Sequence, residues 1–115
     1  MSDAPILGPL NHVTDLEGAS DFERKHTPYI SIERDGDSVS VRIKVGHYVS
    51  HPNQPDHYIQ WIELLADGAP IARFDLSPVA TGPDVCVAVS VDPGTTLRAV
   101  EYCNLHGLWA AEIEV

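Results

Sequence analysis

A chain of 115 residues with 43% hydrophobic content is long enough for one domain with a single core. Seven basic against seventeen acidic residues give a formal charge of -10, which argues against binding nucleic acid, an anionic membrane or another polyanion through the general surface. No apolar run is long enough to span a bilayer, and the start, MSDAPILGPLN, has neither a basic stretch nor the apolar core of a leader, so a soluble, cytoplasmic protein is expected.

The first two dozen residues lack an apolar period and carry Asp3, Asp15, Glu17, Asp21 and Glu23 before the first basic residue, Arg24. They read as an irregular segment, 1–25, that wraps a domain spanning 26–115. Period-two alternation then recurs at 28–33, 38–45, 58–66, 70–76, 85–91, 96–103 and 108–115. It is plainest in SVSVRIKV, where Val39, Val41, Ile43 and Val45 face one way and polar residues the other. Turn signals separate these segments: Asp35-Gly36, Asp67-Gly68, Thr81-Gly82-Pro83 and Asp92-Pro93-Gly94. Seven strands at this spacing, with no sustained helical period, predict an all-β fold: a seven-stranded, immunoglobulin-like antiparallel β-sandwich with Greek-key connections, favoured over a barrel. Cys86, inside VCVAVSV, reads as a small buried side chain on a core strand. Trp61 and Trp109 read as core residues, either of which could shield a nearby site. A disulfide between Cys86 and Cys103 is the weaker reading in a reducing compartment.

Six histidines stand at His12, His26, His47, His51, His57 and His106. Four fall at strand edges beside turn residues, where one end of a sandwich can gather them. His26 precedes Thr27-Pro28, His51 precedes Pro52, and His57 opens the strand YIQWIELLA. Cys103 and His106 flank the turn before the last strand, in EYCNLHGLW. A cysteine and a histidine three apart can reach one ion from a tight turn, because the chain reverses between them. One thiolate with several imidazoles suits iron, zinc or copper; magnesium and calcium prefer oxygen. Singly these signals are weak: Cys-x-x-His is usually a chance pairing, and a histidine before proline is usually a solvated loop residue.

In combination the residues resemble the superoxide reductases, including neelaredoxin and the iron-centre domain of desulfoferrodoxin. Lys25-His26-Thr27-Pro28 resembles the family's Lys-His-x-Pro. His51-Pro52, then His57-Tyr58-Ile59 and Trp61-Ile62-Glu63, resemble its His-Pro, second histidine and Ile-x-Trp-Ile, and Cys103 to Trp109 is similar to its closing signature. The resemblance runs in order over about residues 24–115. It implies an immunoglobulin-like sandwich around a mononuclear iron, with His26, His51, His57 and His106 as equatorial ligands, Cys103 as the axial thiolate and the sixth position open. It further implies reduction of superoxide to hydrogen peroxide, re-reduction by a rubredoxin-like or other small electron carrier, and a homodimer or homotetramer. Lys25 is expected to act as a cation beside the open position, focusing potential on an anion and helping to deliver a proton; without the motif it reads as a solvated loop lysine.

Two features depart from the family's pattern. Arg24 stands where a glutamate able to close the sixth position is common, and arginine does not ligate iron. That position is therefore expected to be left to water or closed by Glu23 through a shifted loop, with Arg24 adding to the positive field. The loop Gly46 to His51 is one residue longer than usual and carries His47, read as a solvent-facing histidine. Without a four-cysteine iron module ahead of the sandwich, the chain is expected among the one-iron members. The rival reading is a non-enzymatic metal-binding or electron-transfer sandwich with the same site, docking through its acidic face. A zinc-stabilised structural domain needs only four closed ligands and fits five candidates poorly.

Overall fold

The computed structural model describes residues 10–115; the first nine residues of the expected wrap, Asp3 among them, lie outside the described residues. In chain order the elements are β1 (Leu10–His12), α1 (Asp21–His26), β2 (Tyr29–Asp35), β3 (Ser38–Lys44), β4 (Ile59–Ala66), β5 (Ala69–Asp75), β6 (Asp84–Val89), β7 (Thr96–Cys103) and β8 (Gly107–Glu114). They form an immunoglobulin-like sandwich of a three-stranded sheet, β2-β3-β6, on a five-stranded sheet, β1-β8-β7-β4-β5. All pairings are antiparallel except β1 with β8, which is parallel.

The alternation in β3 buries Val39, Val41 and Ile43 and leaves Ser38, Ser40 and Arg42 exposed. From the facing sheet Ile62, Leu64, Leu97 and Ala99 close the core with no exposed surface. Each large aliphatic side chain so buried contributes about 1.5–3 kcal/mol, which fixes the register of both sheets, because a one-residue slip turns the apolar set outward.

The seven strands marked by alternation are all present, and β1 makes an eighth among the described residues. Three residues cannot display a period; β1 is held instead by its pairing with β8 and by Asn11 Nδ2, which donates to the Leu108 carbonyl at 2.9 Å. Helix α1, also unmarked, spans six residues, under two turns. A capping box starts it: Glu23 N donates to Ser20 Oγ at 3.1 Å, and Ser20 N donates to Glu23 Oε1 at 3.0 Å. It stops at Thr27, whose N and Oγ1 both return to the Glu23 carbonyl, ahead of Pro28.

Two core assignments are corrected. Cys86 is exposed: on the edge strand β6, Val85, Val87 and Val89 take the inner face, and alternation turns Cys86 and Ala88 outward. Trp61 is half-buried on the outer face of the larger sheet, stacked on Tyr102 with the Arg73 guanidinium 4.4 Å from its ring centroid.

Candidate metal centre

Four of the elements converge at one end of the sandwich. His26 is the last residue of α1, and Cys103 is the last of β7. His51 and His57 come from the loop that joins β3 to β4. Gly46 opens that loop at φ 89°, and a Cβ there would lie 2.9 Å from His51 N, so the close return of the chain requires glycine. Gln54 and His57 exchange backbone hydrogen bonds of 2.9 and 3.0 Å, which fold the loop back. Asn104 then fastens it to the last turn: its Oδ1 accepts from Tyr58 N at 2.9 Å and its Nδ2 donates to the Asp56 carbonyl at 2.9 Å. Gly107, at φ 82°, pairs with Cys103 and closes the turn that carries His106.

His26, His51, His57 and Cys103 each offer one ligand atom, and these atoms all lie within 4.8 Å of one another. His26 Nε2 is 3.3 Å from His51 Nε2, and Cys103 Sγ is 3.5 Å from His51 Nε2. His106 stands beside this group, its ring centroid 5.1 Å from that of His26 and 5.2 Å from that of His57.

The protons can be assigned from the hydrogen bonds. His26 Nδ1 is 2.7 Å from the Phe22 carbonyl and His51 Nδ1 is 2.6 Å from the Pro52 carbonyl. A carbonyl only accepts, so each Nδ1 carries the hydrogen and each Nε2 presents a lone pair. Burial is the main reason the His26 imidazole is pushed down to about 3 and that of His51 to about 4, and it also lowers His57 and His106. Neutral rings therefore face one another with lone pairs 3.3 Å apart, an arrangement that repels until a cation stands between them. His57 Nε2 and His106 Nδ1 are buried without a hydrogen-bond partner, a condition that costs about 1–3 kcal/mol for each group. Burial raises the Cys103 thiol, while the backbone N–H groups of Leu105 and His106 favour its thiolate; a bound divalent metal deprotonates such a thiol outright. The donor set fits a borderline transition metal, and the carbonyl partners of His26 and His51 are those that metal-bound imidazoles need.

Aromatic walls enclose the site. Trp109 stacks on His26 with centroids 4.9 Å apart, and Phe22 lies 4.8 Å from both His26 and His106. Phe22 carried no mark in the sequence reading, although Phe22 and His26 stand four apart on one helix, the spacing that puts two side chains on one face. Glu101 was also missed. It shares the inner face of β7 with Leu97, Ala99 and Cys103, is fully buried with both carboxyl oxygens unpartnered, and is held protonated because burial pushes its carboxyl well above the carboxylate range.

Lys25 is half-buried, its ammonium 6.0 Å from the Phe22 ring centroid, and its charge depresses all four clustered histidines. The expectation that Arg24 adds to this field is corrected: its guanidinium turns to the chain before the helix, donating to the carbonyls of Leu16 at 2.8 Å and Glu17 at 2.6 Å. Glu23 is occupied by the capping box. His47 is exposed, stacked on Tyr29 at 3.8 Å, outside the cluster.

The sequence profile of the family described as Desulfoferrodoxin matches residues 18–112. A superoxide reductase of Pyrococcus horikoshii is 37% identical over 100 residues, covering 79% of this chain and 87% of that protein. The solved superoxide reductase of Nanoarchaeum equitans superposes with a TM-score of 0.75 at 35% identity, covering 80% of this chain and 94% of that one. The superoxide reductase (neelaredoxin) of Ignicoccus hospitalis gives 0.76 at 32% identity, over 92% of this chain and 93% of that one.

Proposed function

The chain belongs to the desulfoferrodoxin family, and on that premise we propose that it is a one-iron superoxide reductase. Superoxide takes one electron and two protons and leaves as hydrogen peroxide. The observation that carries this reading is the pair of Nε2 lone pairs of His26 and His51, 3.3 Å apart and 3.5 Å from a buried thiol at the nearer ring. In this account His26, His51, His57, His106 and Cys103 hold the iron, which when bound supplies a one-electron couple and a positive charge for an oxygen anion.

The remaining work falls to the chain's own side chains. The Phe22 and Pro52 carbonyls hold two imidazoles in the tautomer that leaves Nε2 free. Trp109 and Phe22 keep water off one side of the cluster. Lys25 supplies a local positive potential in a protein of formal charge -10, and its ammonium can hold a proton for the departing peroxide. The capping role of Glu23 supports the version in which the open position is left to water.

Each turnover needs one electron from outside, which a small rubredoxin-like carrier provides. Two free cysteines suit a reducing cytoplasm, and no helix among the described residues is long and apolar enough to cross a membrane. A homodimer or homotetramer is the assembly expected. Metal analysis with visible spectroscopy tests the assignment. The account predicts iron equimolar with the chain and a sulfur-to-iron absorption band on oxidation that Cys103→Ser abolishes. Zinc as the tightly bound metal, or a band that survives in Cys103→Ser, would overturn it.

A further inference from the structure

Asn53, two residues after His51, reaches across to the loop that joins β5 to β6. Its Oδ1 accepts from Val79 N at 2.8 Å and its Nδ2 donates to the Thr81 carbonyl at 3.2 Å. An N–H only donates and a carbonyl only accepts, so the amide is held in one orientation with both ends occupied. The loop it grips is itself anchored. Thr81 Oγ1 accepts from Ser77 N at 2.8 Å, Leu76 N donates to the Gln60 carbonyl on β4 at 2.8 Å, and the Pro83 carbonyl accepts from Val45 N, just past β3, at 2.9 Å. Val79 sits at φ 67°, a costly conformation for a β-branched residue, while its side chain is 60% exposed. The bond it makes there is the one from its N–H to Asn53.

We propose that Asn53 is a positioning residue for His51, and that the segment 77–81 is the abutment against which it holds that imidazole in place. The link is the peptide unit between Pro52 and Asn53. Its carbonyl, that of Pro52, is the partner of His51 Nδ1 at 2.6 Å, and it decides which way the ring turns and which nitrogen keeps the hydrogen. That planar unit swings only about the soft torsions on either side of it, ψ of Pro52 and φ of Asn53. Clamping the Asn53 side chain to two backbone groups of another loop restrains the second of these. His26 needs no such device, because its carbonyl partner, Phe22, lies one turn back in the same helix. The inference rests on the reading of His51 as a metal ligand.

Two measurements on the full chain test it. In the metal-free protein, nitrogen NMR of the histidine rings reports the tautomer at each imidazole; with ferrous iron as the probe, chelator competition reports affinity. Asn53→Ala removes the clamp, and Asn53→Asp keeps the bond from Val79 N while losing the one to Thr81. Val79→Asn keeps both bonds, because only the backbone of residue 79 takes part. In Asn53→Ala the His51 ring signals are expected to move from the Nδ1–H form toward the average of the two tautomers, while His26 stays in its Nδ1–H form. Iron affinity should fall about 10–100-fold, the usual loss when the partner of a metal-bound imidazole is disturbed. Asn53→Asp should fall between Asn53→Ala and the wild type, and Val79→Asn should stay within about threefold of the wild type, well short of that loss. A merely structural asparagine would lower the urea midpoint without moving the His51 ring signals, and that result would overturn the proposal. So would an equal change at His26, or a loss in Val79→Asn as large as in Asn53→Ala. His51→Ala separates the clamp from the reading beneath it. Iron affinity that falls in His51→Ala and not in Asn53→Ala overturns the clamp alone. A His51 ring that shifts in Asn53→Ala, with iron retained by both variants, leaves the clamp standing and removes His51 from the metal site.

Discussion

The indole of Trp109 lies on the imidazole of His26, 19° from parallel, while its Nε1 donates to the His106 carbonyl at 3.1 Å. One side chain on β8 thus braces the end of α1 and the turn after β7. Trp109→Ala should cost about 3–5 kcal/mol of stability, as for other large aromatic truncations in a core, and should speed metal loss. Trp109→Phe keeps a ring over His26 and should cost less. Denaturant unfolding and the rate of iron transfer to a chelator measure both effects; equal losses in the two variants would contradict the bracing role.

The metal-free chain should be most stable near pH 6.5, the ordinary value of an imidazole, because two buried histidines favour high pH and one buried carboxyl favours low pH. His26 is lowered from 6.5 to about 3, so between those values the unfolded chain binds the extra proton and stability rises with pH. Glu101 is raised above 4.5, so above that value the folded chain holds the extra proton and stability falls with pH. Each slope is about 1.4 kcal/mol per pH unit; between pH 4.5 and 6.5 those of His26 and Glu101 cancel, while His51, lowered from 6.5 to about 4, keeps stability rising toward pH 6.5. Below pH 6.5 His26 and His51 together make the chain lose stability; above it Glu101 does. Glu101→Gln should flatten the alkaline side only. Urea midpoints across the pH range give the answer, and an unchanged alkaline limb in Glu101→Gln would contradict the assignment.

Most of this was legible in the sequence because alternation is a direct image of one-sided burial. SVSVRIKV and TLRAVEYC declare their inner faces, and the histidines and Cys103 sit where those strands end. Legibility failed where the signal was too short or one-sided. LNH is held by a neighbouring strand, and DFERKH is specified by a cap, Ser20 with Glu23, which a search for helical period does not detect. VCVAVSV is apolar on both faces, so composition alone hid that Cys86 faces outward. Arg24 could not be placed from sequence, since its partners are backbone carbonyls that have no side-chain signature.

Val79 should tolerate replacement unusually well. Its left-handed backbone costs about 1–2 kcal/mol for an ordinary L-residue, and with 60% exposure little burial offsets that. Val79→Asn should stabilise the chain by about 1 kcal/mol, read as a higher urea midpoint at unchanged slope. A loss of stability would mean that the valine makes a contact worth more than its strain.

Gly46 should accept no side chain. A Cβ at 2.9 Å from His51 N, on a backbone at φ 89°, must displace the segment that carries His51. Gly46→Ala should lower iron affinity at least tenfold while the sandwich still folds, because the strand pairings of β3 end at Lys44, ahead of this loop. Chelator competition and circular dichroism separate the two, and wild-type iron affinity in the variant would remove the steric argument.

The central claim is that the chain reduces superoxide without disproportionating it. The measurement is the stoichiometry of products when the iron-loaded chain, kept reduced by an electron donor, meets a pulse of superoxide under anaerobic conditions. The account predicts one hydrogen peroxide per superoxide and no dioxygen from the catalysed reaction. Dioxygen formed alongside half as much peroxide, or superoxide decaying no faster than in buffer, would contradict it.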